Sequence, residues 1–242
     1  MTEAIFHTDA YTKEFEALVT QTDTSRSAVV LDRTAFYAGG GGQPCDTGEL
    51  RFDGGSLDVV KVKREGGDIV HLLTAGAELP EEGTEVTGVL DWERRYQLMR
   101  THTAMHILCG VVWRDWGAQV TGGNMEPLEG RMDFEFERME RELVEEIEAK
   151  INAEVEAARD LIVNVLPRAE AEKIPDLVRT KINLIPKSIT EIRTIEIVGL
   201  DLQADGGTHV ANTREVGPLK VLDYKSKGRI NKRIELELEP AH

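Results

Sequence analysis

Residues 92–116 read WERRYQLMRTHTAMHILCGVVWRDW. The stretch holds no proline and no glycine before Gly110, and its Leu98, Met105, Leu108 and Val112 recur at helical intervals, so one long helix is predicted. Inside it His102 and His106 stand four residues apart, which sets both imidazoles on one helix face a single turn from each other. That is the spacing of a metal-ligand pair. It is not the H-E-x-x-H pattern of zinc proteases, because Thr103 occupies the place after the first histidine and no glutamate base is present there. One core histidine and one surface histidine would show the same spacing, so a metal reading needs donors from elsewhere in the chain.

The helix also divides the chain. Before it, Ser27–Leu31, Leu57–Lys63, Asp68–Leu73 and Thr84–Leu90 read as short strands, separated by Gly54-Gly55, Gly66-Gly67 and the turn from Pro80 to Gly83. This spacing predicts a small closed or nearly closed β-barrel over residues 1–91. After the helix, 130–136 is extended and Glu137–Arg159 is an amphipathic helix with Met139, Leu143, Ile147, Ile151 and Val155 four apart and an acidic outer face. Leu161–Leu166 reads as a strand, Ala169–Arg179 as a helix interrupted at Pro175, and Ile192–Val198, Leu219–Tyr224 and Arg229–Glu237 as strands. Residues 92–242 are therefore expected to be an α+β domain.

The 242 residues carry 44 acidic against 29 basic side chains, a net charge of −15, so the surface as a whole repels a polyanion. Hydrophobic residues at 40% place the chain in the globular class rather than the disordered one. Its apolar runs fall far short of the ~18 residues that a membrane span needs. Met1–Ala10 lacks a basic segment followed by an apolar one, and two cysteines, Cys45 and Cys109, are too few for a disulfide scaffold. A cytoplasmic location and no membrane partner are expected. The charge is uneven: residues 1–90 hold 16 acidic and 7 basic side chains, and 133–156 hold 10 and 3. Between Arg214 and Arg233 the balance reverses, and Lys225 and Lys227 on this strip are candidates for contact with a phosphate backbone.

Asp205-Gly-Gly-Thr-His209 supplies further donors, for two ligands from a helix and two from a glycine turn make a tetrahedral zinc set of His102, His106, His209 and Asp205. Asp-Gly-Gly is equally a plain turn in which the aspartate caps its own backbone. Cys109 shares the helix face but lies ~10 Å along the axis from His102, so it ranks behind Asp205 and reads best as a small buried apolar side chain. The remaining dense motif is TAFYAGGGGQPCDTG, residues 34–48, whose consecutive glycines let backbone N–H groups approach an anionic ligand without the G-K-[ST] of a Walker loop.

In this order and at these separations, the motifs resemble the alanyl-tRNA editing family, the freestanding AlaX proteins and the editing domain of alanyl-tRNA synthetase. The matching residues are Thr34 to Gly48, His102 with His106, and Gly206 to Gly217. The resemblance covers essentially the whole chain and looks like the medium-sized AlaX type. It implies a translation-factor-like β-barrel joined to the α+β editing domain shared with threonyl-tRNA synthetase, and hydrolysis of tRNA(Ala) mischarged with serine or glycine. It also implies one Zn²⁺ per chain on His102, His106 and His209, with Asp205 standing where the family usually has cysteine. The acceptor end would be approached by Thr34, Gly40, Gly41, Gly42 and Gln43, and Thr121 would be the hydroxyl that selects serine over alanine. Whether Asp205, Cys109 or water completes the shell stays open, as does whether the ion activates water or positions substrate. A deacylase for another mischarged tRNA and a non-catalytic tRNA- or metal-binding module are the alternatives, and a monomer is favoured.

Overall fold

A computed structural model of the chain describes residues 1–136, 140–179, 189–226, 228 and 230–240. The chain divides into two compact units, Met1–Tyr96 and Gln97–His242, the boundary in sequence falling within the predicted long helix. In the first, a short parallel pair is formed by β1 (Glu3–Ala4) and β4 (Arg33–Thr34). The rest is a closed antiparallel barrel of β2 (Glu14–Asp23), β3 (Ala28–Leu31), β5 (Gly48–Phe52), β6 (Gly55–Glu65), β7 (Asp68–Leu73) and β8 (Glu85–Leu90), in the order β2-β3-β7-β6-β5-β8. Closure leaves no unpaired sheet edge. Alternate residues turn inward, so Phe15, Ala17 and Val19 of β2 join Val29, Leu31, Leu50, Val62, Ile69 and Val86 in the core. The fit is tight at Gly88, where a Cβ would lie 2.4 Å from the Phe15 ring.

The sequence-based strands recur as β3, β6, β7 and β8, whereas β2 and β5 had no counterpart. β2 alternates cleanly, but its inward positions include Ala17 and its outward ones Leu18, which blurs the apolar period. β5 is five residues long and opens on glycine, which weakens any strand signal.

One ionic contact holds the glycine-rich segment in the first unit. Arg95, fully buried in the opening turn of the long helix, is ion-paired with Asp46, whose carboxylate also accepts the Tyr37 N–H at 2.6 Å. The guanidinium further donates to the carbonyls of Ala10 and Ala35. Charges this dry are tolerated because the donors and lone pairs are matched.

The second unit continues α1 (Trp92–Trp116) and adds β9 (Val120–Glu126), β10 (Glu129–Glu135), α2 (Arg141–Glu156), β11 (Leu161–Pro167), α3 (Arg168–Ala171), β12 (Glu191–Ile197), β13 (Asp201–Ala204), β14 (Leu219–Ser226) and β15 (Asn231–Leu238). Two antiparallel sheets result, β14-β15-β10-β9 and β11-β12-β13. Leu98, Met105, Leu108 and Val112 are buried, as the helical period requires. Residues 137–139, including Met139, and Arg229 lie outside the described residues, so α2 is described from Arg141 and the last strand from Asn231. The helix expected over Ala169–Arg179 is corrected to a single turn, Arg168–Ala171. Pro175 has no N–H and disfavours helical geometry at Ile174, and Asp176 then takes a φ of 57°. Among the described residues no helix is long and apolar enough to cross a membrane.

Arg95→Met strands the buried Asp46 carboxylate, and chemical denaturation is expected to show a loss of about 3–5 kcal/mol, where exposed Lys225→Met changes stability by no more than about 0.5 kcal/mol.

Candidate metal centre

Helix α1 brings His102 and His106 to one face, and the turn after β13 brings Asp205 and His209 against them. One donor atom from each of the four residues lies within 4.8 Å of the other three. His209 Nε2 is 3.1 Å and His102 Nε2 3.6 Å from the Asp205 carboxylate. Zinc bonds of about 2.0–2.2 Å in a tetrahedron separate the donors by about 3.3–3.6 Å, so these two gaps, to different oxygens of the carboxylate, lie close to that spacing while the full set spreads to 4.8 Å. The His102 and His209 rings stack with centroids 4.2 Å apart, and His106 stands edge-on to both at 5.1 and 4.7 Å.

The turn's local chemistry explains the placement. Asp205 accepts the Gly207 N–H at 2.6 Å, the Asx-type cap that its Asp-Gly-Gly setting permits, and the same carboxylate faces the imidazoles. Its two readings, turn cap and donor, are both realised in one side chain. The three histidines are buried, whereas the Asp205 side chain retains 14% exposure, so the carboxylate is the solvent-facing member.

Burial pushes His209 down to about 4 and holds His102 well below its ordinary 6.5. Burial would raise Asp205, but the surrounding imidazoles keep it well below the usual carboxylate range. For His106, burial is outweighed by its hydrogen bond to the Asp201 carboxylate and by the charges of Asp205 and Asp201, and its pKa rises. His102 and His209, neutral beside an ionised carboxylate, are donors that a divalent cation takes, and His106 becomes one on losing its proton. The residues present therefore fit a metal ion, with three nitrogens and one oxygen.

Residues that sequence reading passed over surround this group. Asp201 Oδ2 lies 3.6 Å from His106 Nδ1, Gln203 Nε2 3.5 Å from the same nitrogen, and Thr103 Oγ1 3.2 Å from His209 Nδ1. Arg193 donates to the Asp205 carbonyl at 3.0 Å. Thr103 sat in plain view inside the histidine motif, and Asp201 is an acidic residue flanked by Leu200 and Leu202.

Other expected residues lie elsewhere. Cys109 is buried, burial pushes its thiol far up, and it is not one of the four grouped donors. Thr121 lies on β9 rather than in a loop, exposed, and donates to Asn231 Oδ1 at 2.7 Å. In the first unit, Thr34 is fully buried, accepts the Phe36 N–H at 3.1 Å and meets His71 Nε2 at 2.9 Å, so its hydroxyl serves the barrel. Gln43 is 2% exposed and exchanges backbone hydrogen bonds with Gly40, while Gly40 and Gly41 are exposed and Gly39 to Gly42 all take positive φ. Lys225 is paired with Asp223 at 2.9 Å and Glu235 at 3.4 Å, and Arg233 with Asp133 at 2.7 Å, so carboxylates lace the basic strip. Lys227 lies outside the described residues.

Residues 2–94 match the family model of class II (A) tRNA synthetases, and residues 192–235 match that of the threonyl and alanyl tRNA synthetase second additional domain. The alanyl-tRNA editing protein AlaX-M of Methanosarcina mazei is 38% identical, covering 98% of this chain and 97% of its own. That of Saccharolobus solfataricus is 40% identical over 99% and 100%. The alanine-tRNA ligase of Pyrobaculum aerophilum is 40% identical over 91% of this chain but only 25% of its own length.

A metal taken up by these donors must displace the His106 proton, whose pKa lies above 6.5. Zinc affinity measured by chelator competition is expected to rise as pH climbs through and above that value, by up to about tenfold per unit for each proton displaced. Asp205→Asn is expected to bind zinc more weakly at every pH.

Proposed function

Since the chain belongs to the alanyl-tRNA editing protein family, we propose that it is an aminoacyl-tRNA hydrolase that cleaves the ester of tRNA(Ala) mischarged with serine or glycine, using one zinc ion. The observation that carries this reading is the buried cluster of His102, His106, His209 and Asp205, in a chain similar to AlaX-M proteins along nearly its whole length. Zinc bound there would polarise the ester carbonyl or lower the pKa of a water molecule. The chain's own residues do the rest. His102, His106 and His209 hold lone pairs in a dry pocket, Asp205 contributes a negative charge on the solvent side, and Arg193 sets a guanidinium beside that carboxylate.

Asp205 replaces the cysteine usual in the family with a harder donor. Retention of the three histidines and of the Gly206–Gly217 motif supports an active enzyme over a non-catalytic module. The glycine segment and Gln43 are proposed to contact the acceptor end through Gly40 and Gly41, the exposed backbone of that motif. Thr121 is proposed to act on substrate from the surface, on a hydroxyl now given to Asn231. A second reading, a deacylase for another mischarged tRNA, is favoured by the threonyl component of the matched 192–235 domain.

The purified chain is expected to release serine from Ser-tRNA(Ala) while sparing Ala-tRNA(Ala), and His106→Ala or chelation is expected to lower that rate at least about a hundredfold. Deacylation of Thr-charged tRNA in preference to Ser-tRNA(Ala) would select the second reading, and no deacylation of any mischarged tRNA by zinc-loaded protein would refute both.

A further inference from the structure

A histidine binds a metal through one ring nitrogen, and which one is available depends on what the other nitrogen meets. At His209, Nε2 points at Asp205 and Nδ1 at Thr103 Oγ1, 3.2 Å away in the fully buried interior. A hydroxyl oxygen has two acceptor sites. One takes the Val210 N–H at 3.3 Å, and the other faces the imidazole. At His106, Nδ1 faces the Asp201 carboxylate, itself held by Arg179 at 3.3 Å and by Gln203 Nε2 at 2.5 Å. Gln203 Nε2 gives one of its two N–H groups to that carboxylate, and Asp201 Oδ2 is the acceptor that faces His106 Nδ1.

We propose that Thr103 and Asp201 are positioning residues: each accepts the Nδ1–H of one histidine, Thr103 from His209 and Asp201 from His106, so that both present Nε2 lone pairs to the same ion. This rests on the metal reading above. Nothing in the arrangement needs Thr103 or Asp201 to touch substrate. Their buried oxygens select a tautomer and hold two ring planes, the role by which outer acceptors raise the affinity of a metal site. The two acceptors come from different places, Thr103 from the same helix as His106 and Asp201 from the strand that leads into the Asp205 turn. Each therefore ties a histidine to an element other than its own.

The test is zinc uptake by the apo protein through chelator competition, combined with long-range ¹H–¹⁵N spectra of the imidazoles in the zinc-loaded chain. Wild type is expected to bind one equivalent with Nδ1–H on His106 and His209. Thr103→Val, which keeps the shape and removes the acceptor, is expected to weaken zinc about 10–100-fold and Thr103→Ser to restore it. Asp201→Leu is expected to weaken zinc likewise, and if it does not fold, the threonine pair decides. Unchanged zinc affinity and unchanged tautomers in Thr103→Val, or a Thr103→Val loss that serine fails to rescue, would overturn the proposal. A wild-type chain that takes up no zinc overturns the metal reading itself and this inference with it.

Discussion

Three imidazoles packed around one carboxylate are the constraint on which the second unit is built. Uncharged histidines can be buried at moderate cost, and an ionised carboxylate cannot be buried without partners. Asp205 solves this with the Gly207 N–H and the Arg193 guanidinium nearby, while keeping a little exposure. The helix serves the site because its i, i+4 pair sets two rings one turn apart on one face. The Asp-Gly-Gly turn is needed because it lets one short side chain cap its own backbone and still reach the rings. Sheet β11-β12-β13 is the frame that delivers Asp201, Gln203 and then Asp205 along a single run of chain.

Much of this was legible in the residues. The period of Leu98, Met105, Leu108 and Val112 named the helix, and the glycine-spaced apolar runs named four of the six barrel strands. The four grouped donors were readable because metal chemistry uses few residue types at recognisable spacings. What sequence reading missed has a common cause. Asp201 and Thr103 act through contacts at sequence separations of 95 and 106 residues, and no local pattern announces such a partner. Helix length failed at Pro175 because an apolar period continues through a residue that the backbone cannot accommodate.

Charge counting shows the same limit from another side. A net −15 argued against a polyanionic partner, and a basic run at 214–233 argued for a local exception. In the fold, Lys225 and Arg233 are each engaged by carboxylates on the same sheet or its neighbour strand. Linear charge density therefore overstates the field that such a strip presents, because cross-strand pairing brings in acidic residues distant in sequence.

The donor set also has a bearing on oxidants. A thiolate ligand can be driven to sulfenic acid or into a disulfide, and the metal is then lost. With oxygen from Asp205 in that place and nitrogen in the other three, none of the four donors lies on that ladder. Cys109, the nearest alternative in sequence, is sealed in the core as a neutral thiol, which is the unreactive form. A metal held by these four donors would stay bound across changes in redox poise that would empty a cysteine-ligated site.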